Sequence, residues 1–214
     1  MDMRKVVIAC EDVFGIEVYS ILKAVNLAQE REGRPAVYAL AGYVSDAEDP
    51  FGALSLPIPR LGTLRDWRPA AGETCVLGIK SPAAKKAAVA RLRENGVSFE
   101  TVIAPWVRGP MGMEIGEGSI LSAYSCANGV HIGNFVTLIS PMLSGHQIGD
   151  YSTVMRFSNI AGEVGTEVLI GNHVFVPLDK KIGDGAVVED GAIVTMSIRP
   201  GSRVSGVPAK RVRK

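Results

Sequence analysis

Ile115-Gly116-Glu117-Gly118-Ser119, Ile132-Gly133-Asn134-Phe135-Val136, Ile148-Gly149-Asp150-Tyr151-Ser152, Ile170-Gly171-Asn172-His173-Val174 and Ile182-Gly183-Asp184-Gly185-Ala186 are copies of one template. An aliphatic residue comes first, glycine second, and a small or β-branched residue four positions after the first. Weaker copies begin at Leu121, Val154 and Val188. A repeat this short marks a parallel β-helix, in which each hexad supplies one short strand and the aliphatic residues stack inward as a column. Glycine is expected where a β-carbon would clash or the backbone takes unusual angles. Successive Ile-Gly pairs lie 17, 16, 22 and 12 residues apart. Steps near three hexads, or two in the last case, predict a triangular coil with some insertions and deletions.

Upstream of the repeat the pattern changes. Lys5–Cys10 is a continuous apolar run suited to a strand buried on both faces. Val18, Ile21, Leu22, Val25 and Ala28 recur at helical spacing between Ile16 and Glu30. Ala36–Ala41 and Thr74–Gly78 read as further strands, and Phe99–Ile103 as a last one. Ser81 suits the cap of a helix that Asn95-Gly96 ends. Strand and helix in alternation predict a mostly parallel α/β sheet. The chain therefore divides into an α/β domain over residues 1–106 and a β-helix over residues 107–214.

With 47% hydrophobic and 21% charged residues the chain reads as soluble and globular, and its formal charge of +1 suggests neither nucleic acid nor a charged membrane as partner. Cys10, Cys75 and Cys126 are odd in number and lack metal-ligand spacing, so neither a disulfide framework nor a metal site is expected. The apolar run Val6–Ala9 is too short for a signal peptide or a membrane span. A reducing cytoplasm is the expected location.

The sequence resembles the sialic-acid O-acetyltransferase and nucleotide-aminosugar N-acetyltransferase family (the NeuD/PglD type) over nearly its whole length. In the first half the resemblance rests on Gly42-Tyr43-Val44-Ser45-Asp46, Leu61-Gly62-Thr63-Leu64, Val76–Lys80 and Ile103-Ala104-Pro105. In the second it rests on the hexads, on Gly145-His146-Gln147-Ile148-Gly149-Asp150 and on the ending Gly206-Val207-Pro208-Ala209-Lys210. It implies a Rossmann-like first domain that holds the nucleotide part of a sugar, and a left-handed β-helix that binds acetyl-CoA as acyl donor. It further implies a homotrimer with its sites at subunit interfaces, acting in surface-polysaccharide synthesis.

Acetyl transfer to an amine or hydroxyl needs a base, donors for the oxyanion, and alignment of two substrates. His146 matches the family's base if two residues are deleted after it; His131 and His173 are expected to face outward. The family's acidic neighbour is missing, since Gly145 and Gln147 flank His146. Gln147 can orient an imidazole but cannot stabilise its charge. Ile139 stands where the family often has Asn, and Thr153 where it has a second histidine. Arg156–Glu167 reads as longer than usual and Val176–Lys181 as shorter.

For acetyl-CoA the resemblance points to Gly185, Val187 and Ala192, with Lys210 and Arg211 for its phosphates. A Gly-rich turn opening a helix would present N–H groups to a nucleotide's phosphates. The turn Cys10-Glu11-Asp12-Val13-Phe14-Gly15 has one glycine and two acids instead. Asp46, Gly78 and Lys80 remain as candidates to face that pocket. One reading stands against the enzyme, a non-catalytic trimeric scaffold or binding protein; a third keeps the activity, an acyltransferase whose acceptor carries no nucleotide.

Overall fold

A computed structural model describes residues 3–107, 112–127, 129–145 and 147–212. It divides into two units, Met1–Lys80 with Ala84–Pro105, and Ser81–Ala83 with Trp106–Lys214.

The first unit is a parallel sheet in the order β3-β2-β1-β4, from β1 (Arg4–Cys10), β2 (Tyr38–Val44), β3 (Arg60–Gly62) and β4 (Glu73–Gly78). Two helices accompany it, α1 (Phe14–Arg31) and α2 (Pro82–Glu94). The apolar run Val6–Cys10 is wholly buried in the central strand. α1 turns Val18, Ile21, Leu22 and Val25 inward. Buried Asn26 ties it to β2 by donating to the Tyr38 carbonyl at 2.8 Å and accepting the Val37 and Tyr38 N–H groups.

Gly96 ends α2 with φ +78, and the Gly96 and Val97 N–H groups reach back to the Arg93 and Leu92 carbonyls. The expected strand at Phe99–Ile103 shrinks to a parallel bridge from Phe99 to Cys75, followed by the short β5 (Val102–Ile103). A Rossmann-like domain is more than the structure carries, because only two of its connections are helical. The Pro- and Gly-rich segment between β2 and β3, and the one between β3 and β4, form turns and bends instead.

In the second unit the chain coils through three parallel sheets. The first face stacks β7 (Ile120–Ser122), β10 (Thr137–Ile139), β13 (Thr153–Val154), β16 (Leu169–Ile170), β19 (Val187–Val188) and β20 (Arg203–Ser205). The second stacks β8 (Ser125–Cys126), β11 (Met142–Leu143), β14 (Asn159–Ile160) and β17 (Phe175–Val176). The third stacks β6 (Glu114–Ile115), β9 (His131–Ile132), β12 (Gln147–Ile148), β15 (Glu163–Val164) and β18 (Lys181–Ile182). Antiparallel β21 (Lys210–Arg211) closes the first face against β20.

The register corrects the spacing read from the sequence. On the third face Ile115, Ile132, Ile148, Val164, Ile182 and Ile198 stack in steps of 17, 16, 16, 18 and 16 residues. Ile170 belongs to the first face, in the column Leu121, Leu138, Val154, Ile170, Val188 and Val204. The steps of 22 and 12 mixed two faces, because Val164-Gly165 carries the template without isoleucine. Arg156–Glu167 is accordingly no insertion: it holds β14 and β15 within a coil of ordinary length. Val176–Lys181 is no deletion either, since it lies in the longest step.

Each template position has its reason in the stacking. The third residue reaches to the neighbouring coil: Asp150, Asp184 and Asp190 accept the N–H groups of Asn134, Thr166 and Asn172 at 2.7, 2.9 and 2.8 Å. The glycine makes room for that carboxylate, since a β-carbon on Gly133 would overlap the Asp150 side chain and lie 2.7 Å from its nitrogen. The small fifth residue bridges coils as well. Buried Ser119, Ser152 and Ser158 each donate to a carbonyl of the next coil and accept one of its N–H groups. No described helix is long and apolar enough to cross a membrane.

Candidate active site

His146 lies outside the described residues. Its neighbour Gln147 is exposed at the start of β12, where its register partner is His131 of β9. His131 is itself exposed, and its Nδ1 lies 2.9 Å from Glu114 Oε2. That pair sits in water on the outer row of the third face, as does the Lys181–Glu163 pair at 2.7 Å. Exposed pairs of this kind are worth about 0–1 kcal/mol. His173 also faces outward, stacked on Phe157 with centroids 5.2 Å apart. Ile139 and Thr153, which stand where the resemblance leads one to expect Asn and a second histidine, are fully buried.

The residues expected to meet acetyl-CoA lie in the last coils of the β-helix. Gly185 turns a corner at φ +65, and half-buried Val187 in β19 is the register partner of Arg203. Ala192 is fully buried; its N–H goes to the Glu189 carbonyl and its own carbonyl accepts the Phe175 N–H. Lys210 and Arg211 form β21, which pairs with β20. They line a cleft of about 320 Å³ together with Met196, Arg199 and Ser202. Three cations thus gather at the end of the β-helix, where phosphate groups of a ligand would find charge-assisted donors. Arg199 was not singled out in the sequence, where it reads as a turn residue before Pro200-Gly201. Only the coil brings it beside β21.

In the first unit Asp46 is engaged twice. Its Oδ1 accepts the Leu64 N–H at 2.8 Å, and its Oδ2 takes Arg91 Nη1 at 2.6 Å. It lines a cleft of about 690 Å³. Gly78 has a packing role, because a β-carbon there would lie 2.9 Å from the Gly15 Cα at the start of α1. Half-buried Lys80 follows β4 by two residues and does not line that cleft. Lys85 on α2 is a surprise: it is fully buried, and burial pushes its ammonium down to about 7. In the sequence, Lys85-Lys86 within an alanine-rich helix looks like an ordinary solvated face. Among the described residues no His, Cys, Asp and Glu side chains cluster so as to hold a metal ion.

No family model matches the chain. One curated protein does, a chloramphenicol acetyltransferase from Morganella morganii, 37% identical over 66 residues. The match covers 30% of this chain and 31% of that protein, so it spans about a third of the relative's length. Solved structures match far more of the chain. The acetyltransferase domain of PglB from Neisseria gonorrhoeae, in complex with acetyl coenzyme A, gives a TM-score of 0.79 at 18% identity, covering 99% of this chain and 100% of that one. WeeI from Acinetobacter baumannii gives 0.79 at 22% identity, covering 97% and 99%. A variant of GDP-perosamine N-acetyl transferase from Caulobacter crescentus, in complex with CoA and GDP-perosamine, gives 0.69 at 18% identity, covering 98% and 97%. Over nearly its whole length, this chain has the fold of these acetyltransferases.

Proposed function

We propose that the protein is an acetyl-CoA-dependent acyltransferase that moves an acetyl group to an amino or hydroxyl group of a sugar, with a nucleotide-linked amino sugar as the acceptor class. The full-length likeness to acetyltransferases, one in complex with acetyl coenzyme A and one with GDP-perosamine, carries this reading. The cationic cleft of Arg199, Lys210 and Arg211 supports it, because it suits the phosphates of the donor.

The thioester supplies the activated acetyl group. His146 takes the proton from the attacking acceptor and returns it to the departing sulfur, while Gln147 orients the ring. A histidine suits both steps because its ordinary pKa lies near neutrality. Gly185 and Val187 place the donor along the later coils, where fully buried Ala192 offers it no surface, and Asp46 and Lys80 serve the acceptor. The reading includes a left-handed coil, a homotrimer and a cytoplasmic location.

Calorimetric titration with acetyl-CoA and with desulfo-CoA tests it: one site per subunit is expected. No heat with either ligand would replace the enzyme by a non-catalytic β-helix scaffold. Replacing His146 by Ala should lower turnover about 10²–10⁴-fold with CoA affinity unchanged, and retained turnover would remove His146 as the base.

A further inference from the structure

In an open α/β sheet, ligands settle outside the carboxyl ends of the strands, at the point where strand order reverses. In the order β3-β2-β1-β4 that point lies between β1 and β4. Here it is filled, because Gly15 and Gly78 meet too closely to leave room for a β-carbon. The N–H groups that open α1 are also taken. Asp12 Oδ1 accepts the Phe14 N–H at 2.8 Å, the Asp12 carbonyl accepts Gly15 at 3.1 Å, and the Val13 carbonyl accepts Ile16 at 3.0 Å. Glu11 adds a second carboxyl, its pKa raised by burial and by the charges of Asp12 and Asp46, with Arg91 acting against them. An anion entering this turn would have to displace one carboxylate from its own cap and approach another.

The open space lies one step along the same edge, beyond β2 and β3. There the cleft of about 690 Å³ contains the cations Arg65, Arg68 and Arg91 and the carboxylates Asp46, Asp66 and Glu94. Two of the carboxylates are engaged: Asp46 holds Arg91, and Asp66 Oδ2 accepts the Thr63 hydroxyl at 2.8 Å. Arg68 Nη1 donates to the carbonyls of Arg65 and Trp67 at 3.0 and 3.1 Å, which fixes its guanidinium and leaves its remaining donors. Arg65 forms no side-chain hydrogen bond or ion pair among the described residues. One fixed guanidinium and one uncommitted guanidinium in one cleft match the oxygens of a phosphate ester, which arginine binds in a forked geometry.

We propose that the diphosphate of the acceptor is held in this cleft by Arg65 and Arg68, and not by the opening of α1. The inference rests on the acyltransferase reading for its acceptor, but its test does not need turnover.

The whole protein is titrated with GDP, inorganic pyrophosphate and guanosine, and separately with CoA. GDP and pyrophosphate are expected to bind, guanosine at least about 10-fold more weakly, and Arg65→Gln should weaken both anions about 10-fold. Arg65 is exposed, so this variant is expected to fold as the parent does. The double variant Glu11→Gln/Asp12→Asn, which keeps an acceptor for the Phe14 N–H, should leave GDP affinity unchanged. Absence of GDP and pyrophosphate binding overturns the proposal. So does binding indifferent to both Arg65→Gln and Arg68→Gln, or binding strengthened by the Glu11/Asp12 pair, which would return the anion to the turn. CoA binding without GDP binding defeats the cleft alone; GDP binding without CoA binding leaves the cleft standing and defeats the acyltransferase reading.

Discussion

The two units cover parallel strands by different means. In the first, β1 is buried at five consecutive positions, Val6–Cys10, and helices supply the cover. Local helix and strand patterns do most of the work, and its glycines serve helix ends (Gly33, Gly96), turns (Gly52, Gly72) and close approaches (Gly42, Gly78). In the second, most strands of two residues bury one side chain, and each coil is covered by its neighbours in the stack. Its template residues act between coils: Gly133 admits Asp150, and Ser152 joins Gly165 to Val168. A unit held by local patterns absorbs single changes, whereas a stack held by one repeated fit is exposed to them at every repeat.

That contrast can be broken by substitution. Gly133→Ala should cost about 3 kcal/mol, because the neighbouring coil's backbone and carboxylate must move. Gly52→Ala, in the first unit at φ +57 with nothing within 4 Å of a β-carbon, should cost only about 1 kcal/mol, for conformational strain alone. Urea unfolding of both variants measures the difference, and equal losses would end the distinction. An effect smaller than that of Gly133→Ala is expected from Ser158→Ala, which strands the Gly171 carbonyl and the Val174 N–H. The same unfolding measurement should show a loss of about 2 kcal/mol.

A pH-dependent effect sharpens the other side. Burial holds the Lys85 ammonium of the first unit down to about 7 in the folded protein, against its ordinary value of 10.5 in the unfolded chain. Between these values the unfolded chain binds the extra proton, so stability rises with pH from about 7 upward, and the full penalty of the buried charge is present below that. Lys85→Met should remove this contribution to the slope of the melting temperature against pH between 6 and 9. An unchanged slope would show that the Lys85 ammonium does not titrate in this window.

How much of this was legible differs between the units for physical reasons. α1 and β1 were readable because burial of Val18, Ile21 and Leu22 follows helical spacing and Val6–Cys10 is continuous. β3 was missed, since Arg60–Gly62 is short and mostly exposed. In the β-helix the Ile-Gly copies announced the coil. The register slipped because Val164-Gly165 and Ile170-Gly171 look alike in sequence yet lie on different faces. Of the candidate site, Lys210 and Arg211 were visible as a basic run, while Arg199, Arg65 and Arg68 were not, because nothing local marks an arginine as lining a cleft.

By itself, then, the sequence determined the two kinds of unit, the triangular coil and the inward aliphatic columns, since each depends on residue spacing along the chain. Only the tertiary structure decided which hexad stacks on which and why the glycine must be glycine. It also showed that Asp12 caps its own helix, that Lys85 is buried, and that three arginines share a cleft at the sheet edge. Those features depend on contacts between residues far apart in the chain, and such contacts leave no period in the sequence.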